Sequence, residues 1–366
     1  VIFENFDKLL CEQVLDFSNV AAILDKAVMQ ELFLMPVPEK EARYRYHPLL
    51  QTFLLHQLEI EYGTEYIAGL HRQSAAYFLK ACQYSLAIRH ASKCGDLSFY
   101  YSVLSFACHH WLMLGLFESV IDSLSSLSDA VLEGHASLLE PLIYALSFSR
   151  RFNQAHYYLE ILKRADSQCC HDLGSANDSG VQTISIDRFL EHILALFQKD
   201  TDALNDIKLS EFSGDHKNMD IRGFSMVILA YEKLYRGDLS EAFKIAHEAK
   251  ALLSKIGHKF FASFADLIII LCDRYLGRGI DAIQYMNQVF SEVRYNEKTP
   301  VWVNISTGMM VVYYEQNSLN KAIDLGEKLL PLVNFSCVTE VVSTVYLYLS
   351  RLLHLCGNRQ KASKLL

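Results

Sequence analysis

The sequence predicts an all-α solenoid of stacked antiparallel helix pairs, and three observations carry that expectation. The stretch Leu234-Tyr235-Arg236-Gly237-Asp238-Leu239-Ser240-Glu241-Ala242 returns at Tyr275–Ala282, Glu315–Ala322 and Leu355–Ala362. Alanine thus recurs at 242, 282, 322 and 362, each 40 residues after the last, an interval that an internal repeat explains and helical periodicity does not. Apolar residues recur at helical spacing through most of the chain, which holds only six prolines. Finally, 366 residues at 51% hydrophobic and 21% charged are too apolar for disorder. One compact core seldom grows beyond about 250–300 residues, so an extended array accommodates the chain better.

Each copy has one grammar: an apolar helical stretch, a residue that tolerates positive φ (Gly237, Gly277, Asn317, Gly357), a short polar link and a second helix. The alanine falls early in the second helix, where a small side chain lets two backbones approach. Similar junctions precede the clear repeats at Gln83–Ala87, Gly115–Val120, Arg151–Ala155 and Thr201–Ala203. Spacings of 33, 35, 48 and 39 separate Ala87, Val120, Ala155, Ala203 and Ala242. The array is therefore expected to span most of the chain.

In chain order, Phe6 to Val14 and Val20 to Phe33 carry helical spacing. The segments Leu32–Pro36 and Ala42–Tyr46 flank the polar Val37–Glu41 and read as two strands and a loop. His47-Pro48 then opens a helix to about Tyr62, with proline in the favoured first turn. Between Ala165 and Thr183 a polar, glycine-bearing segment, Asp166 to Val181, reads as a long loop that accounts for the 48-residue spacing. It contains Cys169, Cys170, His171 and Asp172, but adjacent cysteines lack the separation usual for zinc ligands, and no metal site is assigned.

Helix, helix, hairpin, helix resembles part of a winged-helix domain. The residues Leu24 and Lys26, Gln30–Leu34 and Tyr44–Leu54 resemble the end of the nucleotide-switch module in MalT-like, ATP-dependent LuxR-type transcription activators. Leu70–Phe78, Ala87–Ala91 and Gly95-Asp96 continue the likeness over about the first hundred positions. The resemblance implies a winged-helix remnant over 1–62 and a tetratricopeptide-like helical-repeat sensor superhelix over 63–366. In that family an ATPase module precedes these parts and a helix-turn-helix follows them, so the sequence, which opens at Val1 with neither an initiator Met nor a signal peptide, reads as a fragment. ATP or ADP is implied for the whole protein, with no cofactor in this chain, and DNA would be met only through an absent C-terminal domain. The resemblance also gives His47 a role, contact with the β-phosphate of bound ADP. By its residues alone, His47 could as well cap the following helix or fill a hairpin corner.

The exclusions agree with that reading. There is no Gly-x-x-x-x-Gly-Lys-Ser/Thr loop to cradle phosphates. A formal charge of −8 without a Lys/Arg run argues against direct nucleic-acid binding. Nine scattered cysteines favour a reducing cytoplasm, and the longest apolar run, Leu267 to Cys272, falls far short of the roughly 20 residues that span a bilayer. No nucleophile–base arrangement stands out, and His109-His110-Trp111 reads as partly buried packing. An enzyme is not expected.

Stacked pairs form a groove lined by first helices. Counting back from each alanine places Tyr231, Tyr235, Arg274, Tyr275, Tyr314, Arg351 and His354 on or near it. Aromatic faces stack on sugars or apolar ligands, and Arg and His hold hydroxyl, carboxylate or peptide groups; each residue could equally be ordinary inter-repeat packing. Two functions follow. One is an effector-sensing domain of a transcription regulator, in which a small-molecule or protein effector shifts an ADP-held monomer towards an ATP-bound oligomer. The other is a protein-interaction scaffold that takes a partner peptide or helix along the same groove, with no nucleotide switch.

Overall fold

The structure, a computed structural model, describes residues 2–15, 19–29, 34–36, 44–172, 187, 189–191, 193–194, 219–293, 299–333 and 339–365. They divide into two compact units, Val1–Ala107 and Cys108–Leu366.

In the first unit, α1 (Lys8–Leu15) and α2 (Val20–Met29) precede β1 (Leu34–Pro36) and β2 (Tyr44–Tyr46), which pair antiparallel with Leu34 opposite Tyr46. The expected helix from Phe6 starts two residues later. Phe6 instead exchanges backbone hydrogen bonds of 2.9 and 2.8 Å with Tyr44, and Asp7 starts the helix by accepting from the Leu10 N–H at 2.8 Å. Then α3 (Pro48–Lys80) is two helical stretches joined at a kink: the first ends at Tyr62, as expected, and Gly63 leaves helical geometry at φ 80 and ψ 168 before the second begins. Its second half packs against α4 (Tyr84–Ala91). Phe3, Phe6, Leu10, Val14, Leu24, Ala75, Phe78 and Ala87 close this core.

The helix α5 (Leu97–Leu114) crosses the division between units and is followed by α6 (Phe117–Leu124), α7 (Asp129–Glu133), α8 (Ala136–Phe148) and α9 (Phe152–Asp172). The last of these corrects the expected loop from Asp166: with no glycine or proline before Gly174, nothing stops the helix, and residues 166–172 continue it. The rest of the expected loop and the junction at Thr201–Ala203 lie outside the described residues. Phe117, Phe148, Phe224, Phe260 and Phe261 interlock near the start of this unit, with Phe224 stacked on Phe261 at 4.2 Å.

After residue 219 the 40-residue repeat becomes helix pairs: α10 (Met219–Tyr235) with α11 (Leu239–Lys255), α12 (Lys259–Tyr275) with α13 (Gly279–Val293), α14 (Pro300–Glu315) with α15 (Leu319–Leu329), and α16 (Thr339–Leu355) with α17 (Arg359–Leu365). Each first helix packs on its own second helix and on the next first helix, and each second helix packs on the next first. This is an all-α helical-repeat fold preceded by a winged-helix start; strands occur among the described residues only at β1 and β2.

The turns explain the period. At the end of each first helix a left-handed residue (Gly237, Gly277, Asn317, Gly357) is followed by an N–H that reaches back five residues, as from Asp238 to Lys233 at 3.0 Å and Arg278 to Asp273 at 2.8 Å. The earlier junctions repeat the pattern at Cys82, Gly115 and Arg150. Five positions after each left-handed residue stands Ala87, Val120, Ala155, Ala242, Ala282, Ala322 or Ala362, all at most 4% exposed.

Candidate functional site

His47 sits between β2 and α3 in extended backbone, φ −60 and ψ 135, with Pro48 in the first helical turn. Its carbonyl accepts the Gln51 N–H at 3.0 Å, but its imidazole makes no capping bond and is exposed. A capping role for the side chain is thereby set aside. An accessible imidazole beside the first N–H groups of a helix has the donors that an anion requires.

The seven expected groove residues all fall at the carboxy-terminal ends of first helices. Tyr235 and Tyr275 are the last residues of α10 and α12, Tyr314 is next to last in α14, and His354 lies in the last turn of α16, with Arg351 just before that turn. The fold brings several of them together. Tyr231 donates to the Tyr235 hydroxyl at 3.1 Å with ring centroids 4.8 Å apart. The Arg274 guanidinium lies 5.4 Å from the Tyr275 ring and pairs with Glu315, which ties α12 to α14. Tyr314 meets Tyr348 edge-on at 5.2 Å, and Arg351 stands 6.0 Å over the same Tyr348 ring, which ties α14 to α16. His354 is exposed at the end of this row.

Chemically the row presents aromatic faces, Tyr235 at 73% and Tyr275 at 60% exposure, beside a guanidinium already held by a carboxylate. It can stack on a ring or apolar surface, and it offers Arg274 to an anion only in competition with Glu315. Glu315 and Tyr348 were missed in the sequence. The register could have found Glu315, since positions 235, 275, 315 and 355 are equivalent and carry Tyr, Tyr, Glu and Leu; Tyr348 shows itself only through contacts.

Of the His109-His110-Trp111 segment, Trp111 is buried, His110 half-buried and His109 exposed, and burial lowers the His110 pKa. Among the described residues no group of three or more His, Cys, Asp or Glu side chains could hold a metal ion, and no helix is long and apolar enough to cross a membrane.

Residues 1–66 match the family profile of the MalT winged helix domain. No curated protein matches the chain. A solved structure from Pyrococcus horikoshii, a signal transduction ATPase with numerous domains (STAND) that carries a tetratricopeptide repeat sensor, aligns with a TM-score of 0.40 at 14% identity. That alignment covers 99% of this chain and 59% of the other, so the chain spans less than two thirds of that protein's length.

Proposed function

We propose that this chain is the effector-sensing and self-association segment of a MalT-like, ATP-dependent LuxR-type transcription regulator, and not itself an enzyme. The observation that carries the reading is the MalT winged helix match over residues 1–66, followed directly in sequence by helix pairs. Residues 1–62 would close a nucleotide-switch module, with His47 presented to the ADP phosphates that such a module holds, and residues 63–366 would sense. The effector, a small molecule or a protein, would lie along the first helices and be gripped by Tyr231, Tyr235, Arg274, Tyr275, Tyr314, Arg351 and His354. Binding there would shift an ADP-held monomer towards an ATP-bound oligomer in the cytoplasm.

Tyr231→Ala, Arg274→Ala and Tyr275→Ala test the row after a ligand screen by thermal shift. At about a hundredfold excess over Kd, a ligand stabilises by about 2.7 kcal/mol. The expected outcome is an unliganded midpoint close to wild type and a diminished ligand increment. Full stabilisation in all three variants rules out the row.

A further inference from the structure

Within the first unit a cleft of about 340 Å³ opens between the amino-terminal segment, α3 and α4. Two imidazoles stand in its wall, His71 of α3 and His90 of α4, each 6% exposed and joined Nδ1 to Nδ1 at 2.9 Å. Phe3 and Phe78 hold His90 between them, both at 5.3 Å. Because one Nδ1 must donate to the other, the neutral pair keeps one Nε2 as an acceptor and the other as an N–H. Neither ring hydrogen-bonds to any described residue but its partner. Two rings with one nitrogen each free of protein hydrogen bonds, in the wall of a cleft of ligand size, can take a polar partner from outside the chain.

The charges around the cleft decide which partner. Glu4 and Asp7 face it from the amino-terminal segment, and Arg89 and Lys93 from the α4 side. Arg89 is engaged by both oxygens of Glu4, and Asp7 accepts from the Leu10 N–H. Arg72, on α3, is engaged by Asp96. Among the described charged groups around the cleft Lys93 has no ion-pair partner, and it acts on both imidazoles.

We propose that this cleft binds a small organic acid, its carboxylate set against Lys93 and the His71–His90 pair. The proposal does not depend on the effector row of the second unit. Burial, with Lys93 acting on both rings and further repulsion on His90 from His71 and Arg89, lowers the pKa of each imidazole to about 4, so the pair is neutral near pH 7. A carboxylate at hand favours the charged form. One proton taken from solvent at the free acceptor Nε2 then leaves two outward N–H donors, where there had been one donor and one lone pair. Binding therefore takes up one proton and tightens as pH falls.

The test is calorimetric titration of the 366-residue chain with acetate, malate, citrate and benzoate. It is run at about pH 6 and about pH 7.5, at constant ionic strength, in buffers of different ionisation enthalpy. Expected are saturable binding of at least one acid, uptake of close to one proton, and affinity up to about tenfold tighter per pH unit lowered. Lys93→Ala, an exposed substitution, is expected to weaken binding at least about tenfold without moving the thermal midpoint. Replacing both rings, His71→Phe with His90→Phe, should abolish the proton uptake if the protein folds. The proposal is overturned if none of the acids saturates at millimolar concentration, if Lys93→Ala binds as wild type, if no proton is taken up, or if inorganic phosphate binds as tightly with the same dependence on Lys93.

Discussion

The helix pairs before residue 172 and those after residue 219 close their turns with one hydrogen-bond pattern, yet they write it in different residues. In the later set the left-handed position is glycine three times and asparagine once; in the earlier set it is Cys82, Gly115 and Arg150. Second-helix length does not divide the two sets, since α9 has 21 residues and α15 has 11, but the 8-residue α4 and α6 begin the repeats whose junctions lie 33 and 35 residues apart. What stays constant is the five-residue step from the left-handed turn to a buried small side chain. The step is set by backbone hydrogen bonds and by the closeness of the helices. Residue identity at the turn is free to drift so long as packing on either side offsets the strain of about 1–2 kcal/mol at a non-glycine position.

The sharpest way to break this equivalence is to add one methyl group at the turn in each set. At Gly115 a β-carbon would overlap the Phe260 ring, in addition to the left-handed backbone, whereas at Gly237 nothing lies within 4 Å. Gly115→Ala should cost about 2–4 kcal/mol in denaturant unfolding. Next comes the alanine column: Ala242→Leu and Ala282→Leu, at 0% and 3% exposure, should each cost about 1–3 kcal/mol by overpacking, and unchanged midpoints in both would refute the register. Gly237→Ala should cost only about 1 kcal/mol, from backbone strain alone. The smallest effect has the opposite sign. Cys82→Gly should stabilise by about 0.5–1 kcal/mol, since relief of the left-handed strain exceeds the added freedom of the unfolded chain; a lower melting temperature would mean that the cysteine side chain contributes packing of its own.

The repeat after residue 219 was legible because glycine and alanine mark its turn and its contact, and both report a backbone requirement. The junctions at Gln83–Ala87 and Arg151–Ala155 were legible from their link and small residue, but not their left-handed residues Cys82 and Arg150, since no side-chain preference announces that backbone. The hairpin was legible from the proline and charge between two short apolar stretches, while the start of α1 was misplaced because Phe6 serves a bridge to Tyr44, a partner 38 positions away. The candidate row was legible as positions on first helices and illegible as contacts: nothing local says that Arg274 faces Glu315, or that Tyr314 and Arg351 share Tyr348. The His71–His90 pair went unread for the same reason, being two unremarkable helical residues until α3 and α4 lie side by side.

Gly63 gives α3 a mechanical character. Of its 33 residues, running from the winged-helix segment into the first helix pair, only this one leaves helical geometry, at φ 80 and ψ 168, a region closed to any residue with a β-carbon. The two rods on either side, Pro48 to Tyr62 and Thr64 to Lys80, are stiff over their lengths, so a change in the angle between them is concentrated in the two dihedrals of one glycine. Motion passing along α3 would be transmitted as a swing about a single pivot and not as a gradual bend. Filling that position with alanine would lock or break the joint while leaving both arms helical.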